Sequence, residues 1–130
     1  MTRPLALIVE DDTQLNRIYS IALQTDFETE VVGDGSTALE RLKQITPMIV
    51  ILDLNLPGTP GKTILAAIRS NPKLNKTYVI LCTADERQAD ALNIEADFVL
   101  LKPVSPTQLR DLASRLILSS EQAGIAGNIS

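Results

Sequence analysis

The chain has 130 residues, 45% of them apolar and 3% aromatic, and a formal net charge of −4. That is the length of one domain with enough Leu, Ile, Val and Ala for a packed core, which argues against a disordered chain and against a basic nucleic-acid-binding face. A single cysteine, Cys82, and no histidine exclude an internal disulfide, a cysteine zinc site, His-ligated metals and any catalysis built on an imidazole.

Leu5 to Val9 reads as a buried strand, and it runs directly into Glu10, Asp11 and Asp12. From Thr13, with Asp12 or Thr13 as cap, Leu15, Ile18 and Ala22 recur at helical spacing and predict a first helix to about Thr25. Thr29 to Val32 predicts a short second strand ending in the turn Gly33-Asp34-Gly35-Ser36, which lacks the spacing of a phosphate-binding loop. Ser36 is expected to start a second helix, with Ala38, Leu39, Leu42 and Ile45 inward and Pro47 ending it. "MIVILDL", residues 48–54, is a continuous apolar strand that terminates in Asp53. Two prolines and two glycines in the seven residues 55–61 make the next segment a loop. A third helix with Ile64, Leu65 and Ile68 inward stops before Asn71-Pro72.

"YVILCT", residues 78–83, is the fourth strand, Ala84 to Leu92 a short fourth helix, and "FVLL", residues 98–101, the fifth strand before Lys102-Pro103. The last helix carries a capping box, with Ser105 as N-cap, Pro106 at the first helical position and Gln108 three after the cap. Its apolar stripe is Leu109, Leu112, Ala113, Leu116 and Ile117; from Ser119 on, that character fades into what reads as a tail or linker stub. The N-terminal run is too short for a signal peptide and no stretch approaches membrane-spanning length, so the expectation is a cytoplasmic protein without membrane contact.

Five β/α units in succession predict an α/β fold, an open, doubly wound parallel sheet. Ligands of such sheets bind beyond the C-terminal ends of the strands. Those ends carry Glu10, Asp11 and Asp12, then Asp53, Thr83 and Lys102. Three adjacent acids at a buried strand end repel one another, so a positive charge is expected among them. An oxygen-only pocket without histidine or cysteine suits Mg²⁺, with Mn²⁺ as the alternative ion. Taken singly, each residue also has an ordinary reading: acids complementing a helix dipole, a turn aspartate, a strand-end threonine, a surface lysine. Cys82, among Val, Ile and Leu, reads as a small core residue.

Together, "VEDD", "LDLNLPGTPG", "LCTA" and "LKP", in that order at successive strand ends, resemble the receiver domain of two-component response regulators, the chemotaxis-regulator-like fold. The resemblance spans about residues 4–118, which divides the chain into a receiver domain, 1–118, and a tail or linker stub, 119–130. It implies a five-stranded sheet of flavodoxin-like strand order 2-1-3-4-5 with five helices on two faces. It implies Asp53 as phosphoacceptor, taking a phosphoryl group from a phosphohistidine, and Mg²⁺ held by Glu10, Asp11, Asp53 and the carbonyl of Asn55. Thr83 and Lys102 would bind the phosphoryl group, and Pro103 would set the loop, in the family usually through a cis bond. Asn55 and Asp85, each two residues beyond a site residue, would tune dephosphorylation. The partners implied are a histidine kinase or histidine phosphotransfer protein and a downstream protein, with no direct nucleic-acid contact, and a homodimer through the face of the fourth helix, fifth strand and fifth helix. The protein would then be a signalling phosphoacceptor rather than an enzyme.

Two departures bear on output. Val99 stands where the family carries an aromatic residue, with Phe98 on the other face of the strand. From Thr83 to Lys102 the chain is about one helical turn shorter than is common in the family. Three other functions share parts of the pattern. A pseudo-receiver would normally have lost an acid or the lysine, and all are present. A haloacid dehalogenase-type phosphohydrolase needs a second aspartate two residues after its nucleophile, where Asn55 stands. A flavodoxin-like mononucleotide carrier would need hydroxyls and amides where Glu10 to Asp12 stand.

Overall fold

The structure, a computed structural model, describes residues 3–92 and 95–129. Its elements in chain order are β1 (Leu5–Val9), α1 (Thr13–Leu23), β2 (Glu28–Val32), α2 (Gly35–Gln44), β3 (Ile49–Asp53) and α3 (Gly61–Ser70), then β4 (Tyr78–Thr83), α4 (Glu86–Leu92), β5 (Phe98–Leu101) and α5 (Pro106–Ile129). The strands pair in parallel in the order β2-β1-β3-β4-β5, the doubly wound arrangement expected. Alternation along the strands builds two cores. Leu7, Val9, Val50, Leu52, Val79 and Leu81 face Ala38 and Leu42 of α2 and Ile64, Leu65 and Ile68 of α3. Ala6, Ile8, Ile49, Ile51, Ile80 and Cys82 face Tyr19 and Leu23 of α1 and Leu109, Ala113 and Leu116 of α5. Because helices cover both faces, β1, β3 and β4 are apolar at nearly every position, while edge strand β2 keeps Glu28, Thr29 and Glu30.

Differences from the sequence reading lie at element ends and follow from capping. Asp34, not Ser36, caps α2, because its carboxylate accepts from both the Thr37 N–H and hydroxyl at 2.8 Å; Ser36 lies inside the helix and its hydroxyl meets that of Thr59. α4 begins at Glu86 rather than Ala84 because Asp85 accepts the Arg87 N–H at 2.9 Å. A single 3-10 turn at Pro72–Leu74, capped by the Asn71 side chain, escaped the periodicity argument. The capping box at α5 is half formed: the Ser105 hydroxyl accepts the Gln108 N–H at 3.2 Å. α5 then continues from its apolar stripe through Ile129 instead of ending near residue 118. Among the described residues, no helix is long and apolar enough to cross a membrane.

Asp12 caps α1, its Oδ1 accepting the N–H groups of Gln14 at 2.8 Å and Leu15 at 3.1 Å. Asp12→Ala is expected to lower stability by about 1 kcal/mol, read from urea denaturation in chelator; an unchanged midpoint would remove the cap from the account of this turn.

Candidate functional site

β1 is buried to its last residue, and the ladder runs one step further: the Glu10 N–H donates to the Val32 carbonyl at 3.1 Å. That extra step carries the Glu10 side chain inward, and the residue is 1% exposed. Its carboxylate accepts from the Lys102 ammonium at 2.8 Å and from the Asp12 N–H at 3.2 Å. β3 ends on Asp53, also buried, whose Oδ1 accepts the Asn55 N–H at 3.2 Å and lies 3.4 Å from Lys102 Nζ. Asp11 is exposed, yet carboxylate oxygens of Glu10, Asp11 and Asp53 all lie within 4.8 Å of one another. Thr83 is fully buried at the end of β4; its carbonyl accepts the Lys102 N–H at 2.8 Å, which sets the lysine beside it. The Lys102-Pro103 peptide is cis, as the resemblance implied. Gly61 starts α3 hard against this edge, since a Cβ there would lie 2.5 Å from the Asp53 carbonyl oxygen.

The electrostatics are unbalanced. Burial pushes the Glu10 carboxyl above the ordinary range; the bonds from Lys102 and the Asp12 N–H oppose that, and Asp53 adds to it. Burial works against the Lys102 ammonium, but Glu10 and Asp53 outweigh it and hold its pKa above the usual lysine value. Two carboxylate oxygens within 4.8 Å of each other repel by at least about 3 kcal/mol at an effective dielectric near 20. Three carboxylates against one ammonium leave the pocket two charges short of neutral when all are ionised. Oxygen donors only, and a deficit of two charges, fit a hard divalent cation. The nearby Cys82 thiol is pushed up to about 12, chiefly by burial, and is inert at neutral pH.

Glu10, Asp11 and Asp53 are thus brought together and Lys102 reaches Glu10 and Asp53, with Thr83 and Asn55 beside them. Asp85 donates its N–H to the Thr83 hydroxyl at 3.1 Å but uses its carboxylate at the start of α4. Asp12 is taken up by its cap. Val99 is half-buried against the core, and Phe98 points outward, 40% exposed. Sequence reasoning passed over Asn16, whose amide donates to the Glu10 carbonyl at 2.7 Å; its one signal was an asparagine inside an apolar-periodic helix.

The family model for the response regulator receiver domain matches residues 6–114. The DNA-binding response regulator MtrA of Mycolicibacterium smegmatis is 34% identical over 111 residues, covering 82% of this chain and 47% of MtrA, so the chain spans less than half of that relative. The chemotaxis response regulator CheY4 of Vibrio cholerae superposes with a TM-score of 0.80 at 25% identity, over 88% of this chain and 99% of that one. The Mn²⁺-bound form of response regulator Rcp1 gives 0.73 at 29% identity, over 84% and 88% of the two chains.

Proposed function

This chain belongs to the response regulator receiver domain family of two-component systems, and from that premise we propose that it takes a phosphoryl group from a phosphohistidine onto Asp53 and answers by changing its interaction surface. The observation that carries the reading is the Asp53 carboxylate, buried at a strand end and facing both Lys102 and two further acids. An oxygen of Asp53 attacks phosphorus in line, the bond from phosphorus to the histidine nitrogen breaks, and the imidazole leaves. Two anionic groups meet in that step, so positive charge has to be in place beforehand. Lys102 supplies one such charge, fixed by Glu10 and by its own N–H on Thr83. Glu10, Asp11, Asp53 and the Asn55 carbonyl would hold Mg²⁺ or Mn²⁺, which when bound offsets the charge on the phosphoryl oxygens. The Mn²⁺ in Rcp1 supports that ion class.

The Thr83 hydroxyl accepts the Asp85 N–H and has its own O–H to donate to the new phosphoryl group. Pro103 sets the loop behind Lys102. Asn55 and Asp85 flank the approach of the water that later removes the group, and so set the signal's lifetime. The donor is a histidine kinase or phosphotransfer protein. Phe98 and Leu101, exposed on edge strand β5, mark the α4-β5-α5 face for a second copy or a downstream protein. MtrA is a DNA-binding regulator, but this chain carries a net charge of −4, and we assign the domain no direct contact with nucleic acid. The domain is a cytoplasmic phosphoacceptor rather than an enzyme with turnover on a separate substrate.

Intact mass after incubation with acetyl phosphate, with and without Mg²⁺, tests the reading. A single added phosphoryl group that requires the metal is expected. If neither acetyl phosphate nor a phosphorylated histidine kinase adds one to the folded chain, the pseudo-receiver takes its place.

A further inference from the structure

Asn16 is the fourth residue of α1, a position where asparagine is a poor helix former, and its amide does not turn to solvent. Its Nδ2 donates to the Glu10 carbonyl at 2.7 Å. Its Oδ1 is buried without a partner, as is the Tyr19 hydroxyl one turn further along. An unpaired buried amide oxygen costs about 1–3 kcal/mol, which an apolar residue here would avoid. The amide is therefore retained against stability, and its one bond goes to the peptide joining Glu10 to Asp11.

That peptide aims both acids. The dihedrals on either side of it set the Cα–Cβ directions of Glu10 and Asp11, so holding its carbonyl holds the pair. Glu10 is already tied by its N–H to Val32 and by its carboxylate to Asp12 and Lys102. Asp11 is exposed and makes no side-chain hydrogen bond among the described residues, so only the peptide plane directs it. Asn16 grips the turn twice, because its own N–H donates to the Asp12 carbonyl at 2.9 Å.

We propose that Asn16 is a positioning residue for the divalent cation: by holding the Glu10–Asp11 peptide it keeps those two carboxylates converged on Asp53. This rests on the reading of the pocket under Proposed function. It differs from a structural role, since groups that orient metal ligands change affinity without touching the metal.

The test is an amide chemical-shift titration of the full chain with MgCl₂ alone, alongside thermal melting in chelator, for the wild type, Asn16→Leu, Asn16→Ala and Asn16→Gln. The Kd for Mg²⁺ is expected to rise about 10-fold in the leucine and alanine variants, with Asn16→Gln, which keeps an amide donor, recovering most of the affinity. Melting temperatures in chelator should stay at or above that of the wild type in Asn16→Leu, because the unpaired amide oxygen is removed with the amide. Mg²⁺ affinity within about twofold of the wild type in both apolar variants overturns the proposal, whatever the melting temperature does. Should Asn16→Leu fail to fold, Asn16→Ala decides alone. A wild type that shows no saturable shifts at Glu10, Asp11 and Asp53 overturns the cation reading itself, which is a separate failure visible before any variant is compared.

Discussion

Asp53→Asn is expected to leave the chain folded and to abolish the gain of a phosphoryl group under every condition that labels the wild type. Asparagine keeps the size and shape of the side chain but replaces the attacking carboxylate by a neutral amide, whose oxygen is a far weaker nucleophile. The neighbouring acids do not substitute. Glu10 is engaged by Lys102 and the Asp12 N–H, Asp12 is spent on capping α1, and Asp11 is exposed and makes no ion pair with Lys102 among the described residues. The same change has a second, opposite consequence. Asp53 sits among two carboxylates and one ammonium, so neutralising it relieves more repulsion than attraction and should stabilise the metal-free fold by about 1 kcal/mol. Mg²⁺, which should raise the urea midpoint of the wild type, should raise that of Asp53→Asn much less. Intact mass reads the first effect and urea denaturation in chelator and in Mg²⁺ the second. Phosphoryl addition that survives in Asp53→Asn would place the acceptor elsewhere.

This opposition explains why the site was legible from sequence while its finer geometry was not. Residues that a folded chain would be more stable without stand out against the pattern around them. "LALIV" followed by "EDD" is such a conflict, and so is an aspartate ending the apolar run of β3; both resolve once the sheet brings the strand ends together. The strand positions themselves were readable because β1, β3 and β4 are buried on both faces, which leaves little freedom in residue type. Helix ends were less so. Ser36 and Asp34 are both good caps by type, and only the reach of the Asp34 carboxylate to Thr37 selects between them. The helical course of the last residues competed with two glycines, at 124 and 127, which lower propensity without forbidding a helix. Asn16 was invisible for a different reason. A hydrogen bond from a helix side chain back to the turn before it leaves no periodic trace, and asparagine occurs in helices for many reasons.

Lys102→Met should produce the largest loss of stability among single changes at the site, and with it a fall of about 100-fold or more in the rate of phosphoryl uptake. Methionine preserves the length and apolar stem of lysine and removes only the ammonium, so packing is nearly constant. Glu10 is 2% exposed at its side chain and Asp53 4%, and both then lose their cation. Removing one partner of a buried pair costs about 3–5 kcal/mol; with 22% of the Lys102 side chain in water, the low end, about 3 kcal/mol, is expected. The loss should depend on pH in a defined way. The folded-state pKa of Lys102 is raised, so its stabilisation is fully present below the unfolded lysine value and disappears only as pH climbs through the folded one. At the acid end Glu10 protonates, its carboxyl raised by burial, and an uncharged Glu10 no longer needs the ammonium. The gap between variant and wild type is therefore to be widest above the range in which Glu10 protonates and below the ordinary lysine value of 10.5, and to close on either side. Mg²⁺ should narrow it at neutral pH by restoring positive charge to the acids, but should not restore the uptake rate, because Lys102 acts on the transferred group as well as on the pocket. A gap independent of pH would mean that Lys102 contributes by packing alone, and the charge argument for the whole site would fail with it.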